Sequence, residues 1–297
     1  MTMDIAQKAK VMPRKSISPG GAGAHRTIRA QTTHSIIHVH QCHSRKQLFF
    51  KGAFKIRGAS NSIFALDNSQ AAKGVVTHSS GNHAAVVALA AKLCGISAYI
   101  VIPKNAPACK VDNVKRYGSQ VIWSDVTMDS RESMAKKVQE ETGAILIHPF
   151  NDKYTISGQG TVCLELLEQV PKIDTIIVPI SGGSLISGVA LAAKAINPSI
   201  RILPAEPKGA DDLAQPVVRD LVDDVIVVYD NAIVDAMKMC YETLKVAVEP
   251  SGAIGLAAAL SDDEFKQSSA WHESNKIGII VSRGNVDLCV LWDSLYK

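Results

Sequence analysis

Lys55 is the residue of this chain best placed to do chemistry. It stands between Phe54 and Ile56 in the run Phe54-Lys55-Ile56-Arg57-Gly58-Ala59. Apolar neighbours withdraw water from an amine and lower its pKa, and a neutral amine is what Schiff-base chemistry requires. A lysine in isolation is more often a solvated charge. Two further segments therefore matter. Ser79-Ser80-Gly81-Asn82-His83 lies between an apolar run, GVVTH, and a long helical pattern. Backbone N–H groups at a helix start bind anions such as an amino-acid carboxylate. Read alone, the segment is equally well a plain cap by Ser80 or Asn82. Ser181-Gly182-Gly183-Ser184 follows TIIVPI and precedes LISGVALAAKAI. Glycines there let backbone approach a phosphate, and the helix dipole favours its charge. The segment lacks the Gly-Lys-Ser/Thr ending of a nucleoside-triphosphate loop.

The elements that must hold these loops alternate along the chain. From residue 74, short apolar runs (GVVTHS, AYIVIP, QVIW, AILIHP, TIIVPI, RILPAE, VIVVYD and IGIIVS) are separated by helical patterns. Several of these patterns close on a glycine: Gly95, Gly118 and Gly143. Strands this apolar, spaced by helices, predict parallel sheets covered on both faces.

Composition sets the outer bounds. The 297 residues are 46% hydrophobic and 20% charged, ordinary values for a globular protein, and no apolar run reaches membrane-spanning length. The net charge of +4 comes from the N-terminal segment, where residues 1–46 carry eight Lys or Arg against the single acid Asp4. The rest is slightly acidic, which argues against nucleic acid as a partner. That first segment also holds five of the nine histidines. It reads as a disordered or atypical tail, with an organelle-targeting peptide as the other reading. The six cysteines show no C-x-x-C spacing and read as free thiols of a reducing compartment, the cytoplasm.

Taken together, the glycine-bearing segments resemble the fold-type II pyridoxal-phosphate enzymes, and within them the serine racemases and serine/threonine ammonia-lyases. The resemblance runs over residues 47–297. FKIRGA resembles the cofactor-lysine motif, SSGNHA the substrate and ring-binding loop, SGGSLISG the phosphate loop, and SRGNVDL at 282–288 the motif whose first serine meets the pyridine nitrogen. The resemblance implies an α/β fold of two open parallel-sheet domains of the tryptophan synthase beta-like type. Residues 47–73 plus 151–297 would form the large cofactor-binding domain, and 74–150 the small one.

It further implies Lys55 and Ser80 as the catalytic pair on opposite faces of the substrate α-carbon. Phe54, Lys55, Asn82, Ser181, Gly182, Gly183, Ser184, Leu185, Glu249 and Ser282 would bind the cofactor. Ser79, Gly81, Asn82 and His83 would bind the substrate. Glu206, Ala210 and Asp212 would hold Mg²⁺ or Ca²⁺, hard cations suited to oxygen ligands. The expected activity is racemisation of serine with ammonia loss from serine and threonine, in a homodimer with ATP as an activator.

Four features depart from the pattern. The chain is short at Lys51-Gly52 and in the 36 residues between Asp212 and Glu249, and Ser184 and Arg283 stand where the family has glycine. A side chain at 283 implies strain if φ is positive, a cation in the cofactor's space, or a guanidinium turned to solvent. These departures leave open the alternative of a catalytically inactive homologue or splice product that acts as a dimerising or binding protein.

Overall fold

The computed structural model describes residues 36–41, 53–79, 81–209, 220–261, 266–267 and 269–285. In chain order, β1 (Ile36–Gln41) comes first, followed by α1 (Lys55–Phe64), α2 (Asn68–Lys73), β2 (Val75–His78) and α3 (Asn82–Cys94). Next are β3 (Ala98–Pro103), α4 (Ala108–Lys115), β4 (Gln120–Ser124), α5 (Met128–Thr142), β5 (Ile145–Leu146) and α6 (Lys153–Gln169). Then come β6 (Thr175–Pro179), α7 (Ser184–Ile196), β7 (Arg201–Pro207), β8 (Ile226–Val228), α8 (Asp230–Met239) and a π-helical turn, Cys240–Leu244. The last are α9 (Pro250–Ser261), α10 (Ser269–His272) and β9 (Lys276–Val281). The chain divides into two compact units, Lys55–Gln159 and the remainder. Among the described residues no helix is long and apolar enough to cross a membrane.

The Lys55–Gln159 unit is built on an all-parallel sheet in the order β4-β3-β2-β5. All four residues of β2 are buried, as a strand covered on both faces requires. Val76 and Val101 of the sheet pack with Ala135 and Val138 of α5. Helix α1 lies against α3 and, at Gly58, against α6. A Cβ built on Gly158 would fall 2.6 Å from the carbonyl oxygen of Arg57, so only glycine permits this approach of the two helices.

The other unit holds a second parallel sheet in the order β1-β9-β6-β7-β8. One face carries α8 and α9 on a cluster that includes Ile177, Leu203, Met237, Leu256 and Ile279. The other carries α6 and α7 on Leu166, Ile176, Ile186, Val189 and Ile202.

Two expectations differ from this arrangement. Residues 1–46 read as a tail, yet Ile36–Gln41 forms an edge strand in register with Lys276–Val281. Its β-branched Ile36, Ile37 and Val39 suit a strand once β9 offers an open edge. The division of the chain also falls at 54/55 and 159/160 rather than at 73/74 and 150/151. Helices α1 and α2 go with the smaller unit, because α1 packs on α3.

Candidate active site

In the Lys55–Gln159 unit the site residues gather where β2 and β5 end. Lys55 opens α1, half-buried, and its Nζ donates to the carbonyl of Pro149 at 2.8 Å. That carbonyl lies just past β5, at the carboxyl ends of the parallel strands, where ligands of such sheets bind.

The loop after β2 feeds α3, whose N-cap is Gly81 with no side-chain cap. Asn82 is the first helical residue, so it is not the cap that the spacing also allowed. Ser79 is half-buried and its Oγ accepts from the Gly81 N–H at 3.2 Å. Ser80 lies outside the described residues. The N-cap of α3 thus supplies no side-chain oxygen to the helix start, where backbone N–H groups favour an anion.

His83, the second residue of α3, is 2% exposed. Its Nε2 lies 3.1 Å from the carbonyl of Ile147, which also accepts from Thr77 Oγ1 at 2.8 Å. A carbonyl only accepts, so Nε2 carries the hydrogen and Nδ1 is a bare acceptor. Nδ1 has no partner among the described residues. Burial, reinforced by the charge of Lys55, pushes His83 down to about 3. His148 accepts two backbone N–H groups at Nδ1, from Phe150 and Asn151, and its ring stands edge-on to His78. Burial lowers the pKa of both.

Sequence reasoning did not single out His78, His148 or Pro149. Their signal was available: each lies at or just beyond the carboxyl end of a predicted parallel strand.

The second cluster lies in the other unit. Beyond β6 come Ser181, which is exposed, and Gly182, which is half-buried. Gly183 follows at φ 83°, the left-handed conformation that glycine adopts without penalty. It is the N-cap of α7 and gives no side-chain hydrogen bond to the helix start, where Ser184 (2% exposed) and Leu185 (4%) are buried. Ser184 lies inside the first turn, so its side chain leaves the turn's shape intact.

Phe54, Ser282, Arg283, Glu249 and Ser251, from segments far apart in sequence, meet in the same unit. Ser282 is 1% exposed, and its carbonyl accepts from the N–H of Phe54 at 3.3 Å. Arg283 bridges Ala53 in the antiparallel sense, and its carbonyl accepts from Glu249 N–H at 3.0 Å. A Cβ on Gly252 would fall 2.5 Å from that carbonyl oxygen, which is why α9 has glycine where the backbone passes.

Two of the expectations for the Arg283 side chain, a strained backbone and a guanidinium turned to solvent, are not met. Among the described residues only Lys172 and Lys245 are non-glycine residues at positive φ, so position 283 is unstrained. The guanidinium neither faces bulk water nor stands alone as a charge. Nη1 donates to Ser251 Oγ at 3.2 Å and lies 3.7 Å from Glu249 Oε1, with the carbon of the guanidinium 5.7 Å from the centre of the Phe54 ring. Ser251 Oγ in turn donates to Glu249 Oε1 at 3.1 Å. Burial lowers the Arg283 pKa and the Glu249 carboxylate opposes that shift.

Of the expected metal ligands, Glu206 is 3% exposed on β7, while Ala210 and Asp212 lie outside the described residues. Among the described residues no group of three His, Cys, Asp or Glu side chains could hold an ion.

These residues fit pyridoxal phosphate. Helix α7 starts at a positive-φ glycine without a side-chain cap, as a phosphate site requires. Lys55 supplies an amine, Phe54 a buried ring and Ser282 a buried hydroxyl. Residues 50–217 match the family described as "Pyridoxal-phosphate dependent enzyme". The chain is 76% identical over 288 residues to the serine racemase of Oryza sativa subsp. indica, covering 85% of each. It is 59% identical over 287 residues to that of Arabidopsis thaliana, covering 84% of this chain and 86% of the relative. The solved structure of maize serine racemase superposes with a TM-score of 0.86 at 62% identity, covering 99% of this chain and 96% of that one.

Proposed function

The chain belongs to the pyridoxal-phosphate dependent enzymes, and from that premise we propose that it racemises serine and eliminates ammonia from serine and threonine. The observation that carries this reading is Lys55: a half-buried lysine at the head of α1 whose Nζ donates to the Pro149 carbonyl. The names of the rice, Arabidopsis and maize relatives support serine as the substrate.

Bound pyridoxal phosphate supplies an electron sink that stabilises negative charge developing at the substrate α-carbon. The protein does the rest. The first turn of α7, with Ser181, Gly182, Gly183, Ser184 and Leu185, receives the phosphate on backbone N–H groups. Phe54 and Ser282 would hold the ring, the neutral Ser282 hydroxyl being the group suited to its nitrogen. The start of α3, with Ser79, Gly81, Asn82 and His83, orients the substrate carboxylate. Lys55 takes the proton from one face of the α-carbon, and Ser80 returns a proton to the other face. That pair inverts configuration. When the β-hydroxyl departs before reprotonation, elimination follows and ammonia is released on hydrolysis. Burial lowers the pKa values of His78, His83 and His148 and keeps these imidazoles neutral.

The finer features of the reading are a Mg²⁺ or Ca²⁺ site at Glu206, Ala210 and Asp212, ATP as an activator, a homodimer, and a cytoplasmic location. Buried, unpaired Cys163 and Cys240 support a reducing compartment. Incubation of the protein with L-serine and pyridoxal phosphate tests the proposal. D-serine and pyruvate should both accumulate. Neither product from a protein that has taken up the cofactor would favour the inactive alternative.

A further inference from the structure

Beyond β5 the chain runs through His148-Pro149-Phe150-Asn151-Asp152 before α6 begins at Lys153. His148 Nδ1 accepts from the N–H of Phe150 at 3.3 Å and from that of Asn151 at 2.9 Å. These are the amides two and three residues on, the ones an asparagine side-chain oxygen takes in an Asx turn. The imidazole thus folds the following backbone into a turn. The Phe150 ring closes against it edge to face, with ring centres 4.7 Å apart. Thr155 Oγ1 donates to the His148 carbonyl at 3.4 Å and ties the turn to the start of α6. Inside the turn lies Pro149, buried, whose carbonyl accepts from Lys55 Nζ at 2.8 Å. All of these residues belong to the Lys55–Gln159 unit.

We infer that His148 is a positioning residue: by gathering the amides of Phe150 and Asn151 it fixes the Pro149 carbonyl that holds the Lys55 amine. This rests on the pyridoxal-phosphate reading above and adds to it the group that aims the lysine. Backbone N–H groups only donate, so Nδ1 is the bare nitrogen and Nε2 carries the hydrogen. An imidazolium has hydrogen on both nitrogens. Protonation of His148 therefore sets an N–H against the two amides and releases the turn. The titratable groups around the ring are His78 at the end of β2, His83 on α3, Glu132 on α5, Asp152 and Lys55. Burial lowers the His148 pKa most, His78 and Lys55 act in the same sense, and Glu132 and Asp152 oppose them. The ring is thus neutral and the turn closed near pH 7, and the arrangement is lost only as pH falls below 6.5.

The test compares two ligands on the full chain freed of cofactor. The aldehyde of pyridoxal phosphate condenses with the Lys55 amine and releases water. Pyridoxine 5′-phosphate has an alcohol in that place and cannot. His148→Phe keeps a ring without an acceptor, while His148→Asn restores an acceptor that does not titrate. At pH 8, His148→Phe should bind pyridoxal phosphate roughly 5–30-fold more weakly than the parent, the effect of losing one or two hydrogen bonds. Its affinity for pyridoxine 5′-phosphate should equal the parent's. His148→Asn should stay within about threefold of the parent for pyridoxal phosphate at pH 8. Between pH 8 and pH 5 the parent should lose pyridoxal-phosphate affinity relative to His148→Asn. A merely structural role for His148 would weaken both ligands alike. Four results would overturn the inference while the cofactor reading stands: no loss in His148→Phe, equal losses for the two ligands, an asparagine variant as weak as the phenylalanine one, or an acid loss shared by parent and asparagine variant. A parent protein that takes up no pyridoxal phosphate overturns both. If His148→Phe does not fold, the pH comparison between parent and His148→Asn decides.

Discussion

Lys55 and Arg283 are two half-buried cations, one in each unit, and they are held in different ways. The Lys55 amine donates to one carbonyl, among histidines whose pKa values burial has lowered. The Arg283 guanidinium has a carboxylate, a hydroxyl and an aromatic face. A carboxylate beside a cation holds it as a charge. The first arrangement suits a residue that reacts, and the second suits a residue that holds others in place.

The sharpest way to break this contrast is at the reactive end. Lys55→Ala should lower pyruvate formation from serine by roughly 10²–10⁴-fold, the range for removing a positioned acid–base group. Turnover with added cofactor checks it. A loss of less than tenfold would move the proton-transfer role elsewhere.

The buried imidazole of His83 comes next. His83 has its pKa depressed to about 3, so the unfolded chain binds a proton near pH 6.5 that the folded chain refuses. Stability contributed by neutral His83 is therefore full above the unfolded value and is lost as pH falls toward 3. The whole window is worth on the order of 4 kcal/mol. Urea unfolding between pH 4 and 7 should show a steeper loss toward acid in the parent than in His83→Gln. Equal slopes would mean that His83 does not titrate in this way.

At the fixed end, Gly252→Ala would place a methyl group 2.5 Å from the Arg283 carbonyl oxygen. Backbone cannot retreat as a side-chain tip can, so overpacking should cost about 1–3 kcal/mol. The urea midpoint measures it, and a midpoint equal to the parent's would show that α9 shifts freely.

The smallest effect belongs to a pair in open water. Lys104 and Asp125 lie 3.0 Å apart with side chains 69% and 73% exposed, so Asp125→Asn should change stability by about 0.5 kcal/mol or less. A larger loss in the same unfolding experiment would mean that exposure is a poor guide to the strength of ion pairs here. The reasoning about Arg283 and Glu249 would weaken with it.

The alternation of apolar runs and glycine-closed helical patterns made the two parallel sheets legible in the sequence. Burial on both faces removes the polar alternation that would have indicated anything else. Lys55 and the start of α7 were also legible, because each lies near a glycine that the backbone requires, Gly58 and Gly183. The unit boundary was harder to read. Whether α1 goes with α3 is decided by packing at Ala59, Ile63 and the neighbouring helix, and spacing along the chain does not carry that information. Strand β1 needed the edge of β9, more than 230 residues away, to form. The partners of Arg283 lie on three separated segments, so a charge between two small residues gave no sign of whether it faced water or Phe54. The tautomer of His83 was set by a carbonyl 64 residues away.

The most direct test of the account is to reduce the cofactor-loaded protein with borohydride, digest it and map the modified lysine. The account predicts a single labelled peptide that contains Lys55, absent from Lys55→Ala. Label on any other lysine, or a loaded protein that reduction leaves unlabelled, would contradict it.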